Sequence, residues 1–274
     1  MDAKTGKGFS LFIGLNSVDP MHYGGWNGNL RCCENDVDVI NKMTKLYDYE
    51  NIETLKTHKA TRNNVQASFK KAAEILQPGD TLFLYYSGHG GYLLDEDLND
   101  EQDNQDETWC LFDGQLIDDE IYSNWTAFKK GVKIIMISDS CHSGTISKSF
   151  SPCNADQSKN MPFDVSDYVY EKHKDFYKNL LRSKKGRQSQ EETIEATILL
   201  ISACQDNQQA IAGFYNSLFT NKLLKIWNQG KFVGDYRKYH GAIVSQMPPT
   251  QTPNYVVIGA ANKEFEKQKP FVIT

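Results

Sequence analysis

The feature that most constrains this chain is a run of four apolar residues, Ile134-Ile135-Met136-Ile137, that stops at Ser138-Asp139-Ser140-Cys141-His142-Ser143-Gly144. A short, mostly β-branched run, closely preceded by Val132, reads as a strand buried on both faces. In an open α/β sheet, chemistry collects at the carboxyl ends of strands, where loops are free of packing duty. A cysteine on such a loop is placed as a nucleophile, and it needs a base. A second run, Thr81-Leu82-Phe83-Leu84-Tyr85-Tyr86, supplies one by ending in Ser87-Gly88-His89-Gly90-Gly91. Glycines on both sides of His89 let the backbone turn sharply and bring peptide N–H groups close to a ligand.

The rest of the chain alternates strands and helices around these two. Ser10–Leu15 reads as a first strand, followed by a Gly- and Asn-rich loop over 16–29. From Cys32 to about Leu46, Val37, Ile40, Met43 and Leu46 recur at helical spacing. Ile52–Thr57 is a short strand, and a helix runs from Thr61, whose hydroxyl can cap it, to Leu76. The loop Asp95–Glu107 holds eight acidic residues and precedes Thr108–Phe112, after which Asp118-Asp119-Glu120 opens a helix. From Ile146 to Glu192 the pattern dissolves, and Arg182–Gln190 reads as an exposed flexible linker. Ala196–Ala203 resumes as a buried strand, helices follow over Ser217–Trp227 and Asp235–Ser245, and Tyr255–Gly259 is a last strand. This order predicts a three-layer α/β/α sandwich with a mostly parallel sheet, and 274 residues suit one large domain.

Composition narrows the function. A net charge of −5 gives no nucleic-acid footprint. No apolar run is long enough to cross a bilayer, and the first residues lack the apolar core of a signal peptide, so a cytoplasmic location is expected. Six cysteines (Cys32, Cys33, Cys110, Cys141, Cys153, Cys204) are scattered through a chain too large to need disulfides. Five are expected as free thiols and Cys141 as the reactive one.

The pair Tyr-Ser-Gly-His-Gly and Asp-Ser-Cys-His-Ser-Gly resembles the caspase-like cysteine peptidases, and within them the metacaspases and their bacterial relatives. His89 and Cys141 lie 52 residues apart, against about 50 in caspases. The resemblance runs from Phe9 to about Ala260. It implies a six-stranded sheet with the final strand antiparallel, in one peptidase domain. That domain would have a large part over about 8–150, a linker over about 151–192 and a small part over about 193–274.

The resemblance also implies roles. Cys141 is the nucleophile and His89 its base, later the acid that protonates the departing amine; no third acidic member is evident, so a dyad is expected. The oxyanion would be held by the backbone N–H groups of Cys141 and Gly90. His142, next to the nucleophile, faces away and is expected to be structural. Cys33-Glu34-Asn35-Asp36 resembles the family's Cys-x-x-Asp, so Cys33, Asp36, Ser87 and Asp139 are expected at the first substrate subsite. Two buried carboxylates in one pocket favour Arg or Lys; Asp36 at a helix start also suits a plain N-terminal cap.

No cofactor is required. The family's calcium site would correspond to Asp106, Asp118 and Asp119, but its fourth position is Lys148, which cannot ligate and would repel the ion. Weak or absent calcium dependence is expected, and a solvated acidic loop with a helix cap is the other reading. The expected partners are polypeptides with basic residues, not nucleic acid or membrane, and the chain is expected to be a monomer. Arg182, Lys184, Lys185 and Arg187 in the linker are expected self-cleavage sites. A catalytically silent scaffold is the rival reading.

Overall fold

In the computed structural model the described residues are 6–94, 105–141, 158–180, 193–205 and 208–274. The two apolar runs lie side by side in the middle of a six-stranded sheet. The strands are β1 (Gly8–Gly14), β2 (Glu50–Lys56), β3 (Thr81–Ser87), β7 (Lys133–Asp139), β8 (Thr197–Ser202) and β9 (Asn254–Gly259), in the order β2-β1-β3-β7-β8-β9. β2, β1, β3, β7 and β8 are parallel, and β9 pairs antiparallel with β8. The expected mostly parallel sheet with an antiparallel last strand is therefore present.

Alternation along the strands feeds two cores. Leu82, Leu84, Ile134, Met136 and Ile198 face α2 (Arg62–Ile75) and α3 (Asp118–Trp125), where Phe69 meets Trp125. Phe83, Tyr85, Ile135, Ile137, Leu199 and Ile201 face α1 (Cys33–Lys45), α5 (Leu218–Trp227) and α6 (Tyr236–Val244). Helices cover both faces, which is why β7 reads as an unbroken apolar run. Fully burying one of its isoleucines contributes about 1.5–3 kcal/mol. Helix ends follow local chemistry: Thr61, Ser217 and Asp235 accept the N–H of Asn64, Thr220 and Lys238 and cap α2, α5 and α6. A short helix, α7 (Lys263–Lys267), completes the described chain.

Three parts differ from the sequence expectation. A second, three-stranded antiparallel sheet is built from β4 (Gly90–Leu94), β5 (Gln105–Leu111) and β6 (Gly114–Ile117). Asp106 and Glu107, expected in a loop, are in β5. Residues 158–180, where the periodicity fades and only Phe163, Val165, Tyr168, Phe176 and Tyr177 suggest some order, contain α4 (Phe163–Lys172) and a further helical stretch over 174–180. Val169, Tyr170 and Tyr177 from this region pack with Tyr23, Leu93 and Cys110 in a third core.

Candidate active site

The register of the central strands sets the site. In parallel pairing Ser87 of β3 lies beside Asp139 of β7, and His89 and Cys141 each come two residues later. Two side chains from separate parts of the sequence thus emerge from adjacent strand ends on the carboxyl edge of the sheet. The hydroxyl of Tyr86, stacked on Trp109, donates to the carbonyl of His89 at 2.7 Å. The N–H of Cys110 donates to the same carbonyl at 2.9 Å, tying the loop to the small sheet.

His89 is buried, with Trp26 edge-on at 4.7 Å. Its Nε2 lies 3.0 Å from the Gly28 carbonyl, which can only accept, so Nε2 carries the proton. The other ring nitrogen, Nδ1, is left as the basic one, and it has no hydrogen-bond partner among the described residues. Burial lowers the His89 pKa to about 4; Lys159 acts in the same direction, while the backbones of Gly28 and Asn160 partly oppose the shift. The imidazole is therefore neutral at neutral pH and able to take a proton. Gly28 has φ +54°, and a Cβ there would come within 3.1 Å of the His89 ring.

The Cys141 thiol is buried, and its sulfur accepts the N–H of Ala210 at 2.5 Å. Gly90 packs directly on this residue: a Cβ at Gly90 would fall 1.6 Å from the Cys141 carbonyl oxygen. The backbone N–H groups of Gly90 and Cys141 converge on a single acceptor, the carbonyl of Lys159, at 2.9 and 3.4 Å.

A charged pocket adjoins this point. Asp36 is fully buried and does not cap α1, whose N-cap Cys32 makes no side-chain bond. Its carboxylate accepts from Ser87 Oγ at 2.9 Å, Asn216 Nδ2 at 2.8 Å and Ser217 N–H at 3.0 Å. Asp139, also fully buried, accepts from the hydroxyls of Ser217 and Thr220. The first turn of α5 thus points its N–H groups and hydroxyls at both carboxylates, the favourable end of a helix for anions. Between them sits the ammonium of Lys159, fully buried, 2.8 Å from Ser87 Oγ, 3.1 Å from the Asp139 carbonyl and 3.5 Å from Asp36 Oδ2. Its 3.0 Å approach to Asp139 Oδ1 is an ion-pair contact rather than an aligned hydrogen bond.

Burial works against charge on Lys159, but Asp139, Cys33 and Asp36 outweigh it and raise its pKa well above the usual lysine value. Asp36 is raised by burial and by Asp139, with Lys159 opposing. Cys33 is raised chiefly by burial, whereas Cys32 is lowered by its hydrogen bond with Cys33.

The structure therefore brings together Cys33, Asp36, Ser87 and Asp139, beside His89, Gly90 and Cys141. The sequence reading missed Lys159, Asn216, Ser217 and Thr220. Only Ser217 had a local signal, as the start of an expected helix.

The acidic positions fare differently. Side chains alternate along β5, so Asp106 lies on the opposite face from Glu107. Glu107, Asp118 and Asp119 line a cavity of about 340 Å³ with Trp109 and Tyr122, and Asp106 is not among its walls. Among the described residues, the ligand atoms of Asp106, Asp118 and Asp119 do not converge; the group that does, within 4.8 Å, is Cys32, Cys33 and Asp36. His142, Lys148, Cys153 and the linker residues Arg182, Lys184, Lys185 and Arg187 lie outside the described residues. The five described cysteines are free thiols, and among the described residues no helix is long and apolar enough to cross a membrane.

This fold is that of the caspases. The chain aligns with Caspase-1 of Spodoptera frugiperda over 93% of its length and 87% of that chain, at 11% identity and a TM-score of 0.53. A crystal structure of a protein from Geobacter sulfurreducens matches with a TM-score of 0.89 and 43% identity, over 98% of this chain and 99% of that one. The family described as metacaspase, peptidase C14 domain, matches residues 10–149, just over half of the chain. The chain belongs to the metacaspases, the family of cysteine peptidases its two motifs resemble. It is 38% identical over 156 residues to Metacaspase-1 of Pyricularia oryzae, an overlap of 52% of this chain and 37% of that one. With Metacaspase-1 of Saccharomyces cerevisiae the identity is 34%, over 52% of this chain and 34% of the relative. The overlap thus spans little more than a third of the length of these two curated relatives.

Proposed function

We propose that this chain is a cysteine endopeptidase that cuts polypeptides after Arg or Lys through a Cys141–His89 dyad. The observation that carries the reading is a basic side chain held by Asp36, Ser87 and Asp139 while its own carbonyl accepts the N–H groups of Gly90 and Cys141. A substrate seated in this way has its scissile carbonyl at the nucleophile and its charge in the pocket. His89, neutral with a basic Nδ1, takes the thiol proton and returns it to the leaving amine. The two N–H donors stabilise the oxyanion, an effect worth about 10²–10³ in rate per donor. Asp36 and Asp139 reject acidic side chains by repulsion.

Calcium dependence is expected to be weak or absent, because Lys148 stands where the family's fourth ligand would be and would repel the ion. Free thiols at Cys32 and Cys33 suit a reducing compartment such as the cytoplasm, and the protein acts as a monomer. The basic linker residues Arg182, Lys184, Lys185 and Arg187 meet the same specificity and are open to self-cleavage. Fluorogenic peptides ending in Arg, Lys or Asp, each assayed with calcium and with chelator, test the reading. Hydrolysis of the basic peptides alone is expected; cleavage after Asp would overturn it.

A further inference from the structure

The start of α1 gathers more ligand atoms than the peptidase reaction uses. Cys32 is the N-cap, Cys33 opens the first turn and Asp36 follows four residues after Cys32, and side chains three and four apart share a helix face. Their two sulfurs and a carboxylate oxygen all lie within 4.8 Å of one another, and all three residues are buried. Asp36 lines the first subsite and Cys33 belongs to the motif that carries it. Cys32 has no part in either, yet it is fully buried in a cluster with Leu30, Cys33 and Ala212. The spot already accommodates positive charge: the Lys159 ammonium lies 3.5 Å from Asp36 Oδ2, and Cys33, Asp36 and Cys32 all favour its charged form.

We propose that Cys32, Cys33 and Asp36 form a binding site for a thiophilic divalent cation of the zinc and cadmium type, and that the bound ion withdraws Asp36 from basic substrates. The effect on substrates rests on the function argued above; the metal site does not. Two thiolates and a carboxylate are a donor set for zinc or cadmium, whereas calcium and magnesium take oxygen ligands. Tetrahedral zinc with bonds of about 2.0–2.3 Å sets its ligand atoms about 3.3–3.8 Å apart, so separations of at most 4.8 Å close by about 1 Å or less. Three protein ligands leave the fourth position to water.

Binding exchanges two protons for one divalent ion. Each thiol gives its proton to solvent, two sulfur–metal bonds form, and nothing is oxidised or reduced. The net charge of the pocket therefore stays the same, and Lys159 meets no new repulsion. What changes is Asp36, whose charge is neutralised by the ion, so that an incoming basic side chain keeps Asp139 and loses its other carboxylate partner. The ion reaches its ligands through the first subsite, which Asp36 lines.

The test is a titration of the full chain with cadmium chloride, free of oxygen and of added thiols, read by the ultraviolet thiolate-to-cadmium charge-transfer band. Cys141→Ala is the reference protein, so that the nucleophile itself cannot take the ion. It should bind one cadmium per chain and show the band. Adding Cys32→Ala should weaken binding by at least about 100-fold, since losing a group that merely orients a ligand already costs about 10–100-fold. Should that protein not fold, Cys32→Ser takes its place. With the nucleophile restored, saturating zinc chloride should lower kcat/KM of wild type for an arginine peptide by about 30-fold, the lower bound for losing one partner of a buried charge pair. Chelator should restore it. Cys32→Ala should match wild type without zinc and keep its activity at zinc concentrations that inhibit wild type.

A cadmium band that survives Cys32→Ala, or that needs Cys141, would overturn the site. Equal zinc inhibition of wild type and Cys32→Ala would place the inhibiting ion on the dyad and overturn the effect on Asp36. Wild type that hydrolyses no arginine peptide would overturn the proposed function, and the cadmium band would still decide the site.

Discussion

Replacing Asp36 with Asn isolates the electrostatic part of specificity, because the side chain keeps its shape and loses its charge. The remaining oxygen can still accept the N–H groups of Asn216 and Ser217, now 2.8 and 3.0 Å from Oδ1. What disappears is the attraction between Oδ2 and the basic group it now meets at 3.5 Å, and the bond Oδ2 accepts from Ser87 Oγ must reverse its direction. Loss of one partner of a buried, hydrogen-bonded charge pair costs about 2–5 kcal/mol. Asp139 stays in place and is closer, at 3.0 Å, so the lower end applies. We expect about 2–3 kcal/mol, or roughly 30- to 150-fold in kcat/KM for an arginine peptide. The assay uses a Lys159→Ala background, so that the chain's own lysine does not compete, and compares an arginine peptide with its uncharged citrulline analogue. Asp36→Asn should lower kcat/KM for arginine by that factor and leave citrulline within a few-fold. Equal losses on both peptides would mean that Asp36 acts through the fold, and no loss on either would remove it from the pocket.

Three further outcomes are expected. Gly90→Ala places a Cβ 1.6 Å from the Cys141 carbonyl, so the backbone must move and the Gly90 N–H leaves the oxyanion position; kcat should fall about 10²–10³-fold, and an unchanged kcat would show that this N–H is not used. His89 is neutral in the folded chain down to about pH 4 but titrates near 6.5 when unfolded, so its contribution to stability is complete above pH 6.5 and is lost as pH falls towards 4. Over that window wild type should lose about 3 kcal/mol more than His89→Gln in chemical denaturation, with His22, lowered to about 4 mainly by burial, common to both proteins; parallel curves would contradict the burial assigned to His89. Chelation should leave peptidase activity unchanged, and a steep rise from zero on adding calcium would show that Asp118 and Asp119 recruit ligands beyond the described residues.

The sequence made the sheet legible because β3 and β7 are buried on both faces and carry their function at their ends, so composition and position agree. Asp36 and Asp139 were legible through the motif each belongs to. Asp106 was read as a loop residue and lies in β5, where a register of one decides which face it occupies. β4 escaped notice because Gly90 and Gly91 read as a turn rather than as a strand start. Lys159 had no local signal: Gln157-Ser158-Lys159-Asn160 is polar and aperiodic, and its burial depends on carboxylates 123 and 20 residues away in the chain. Asn216 and Thr220 likewise gain their roles only when α5 is packed with its first turn against the ends of β3 and β7.

The central claim is that Cys141 is the nucleophile of a peptidase selective for basic residues. The most direct measurement is covalent labelling by peptidyl chloromethyl ketones ending in Arg or in Asp, read by intact mass and peptide mapping on wild type, Lys159→Ala and Cys141→Ala. A single adduct from the Arg reagent is expected, located on Cys141, faster in Lys159→Ala, whose pocket lacks the chain's own ammonium, than in wild type and missing from Cys141→Ala. Labelling on another cysteine, or equal labelling by the Asp reagent, would contradict the account.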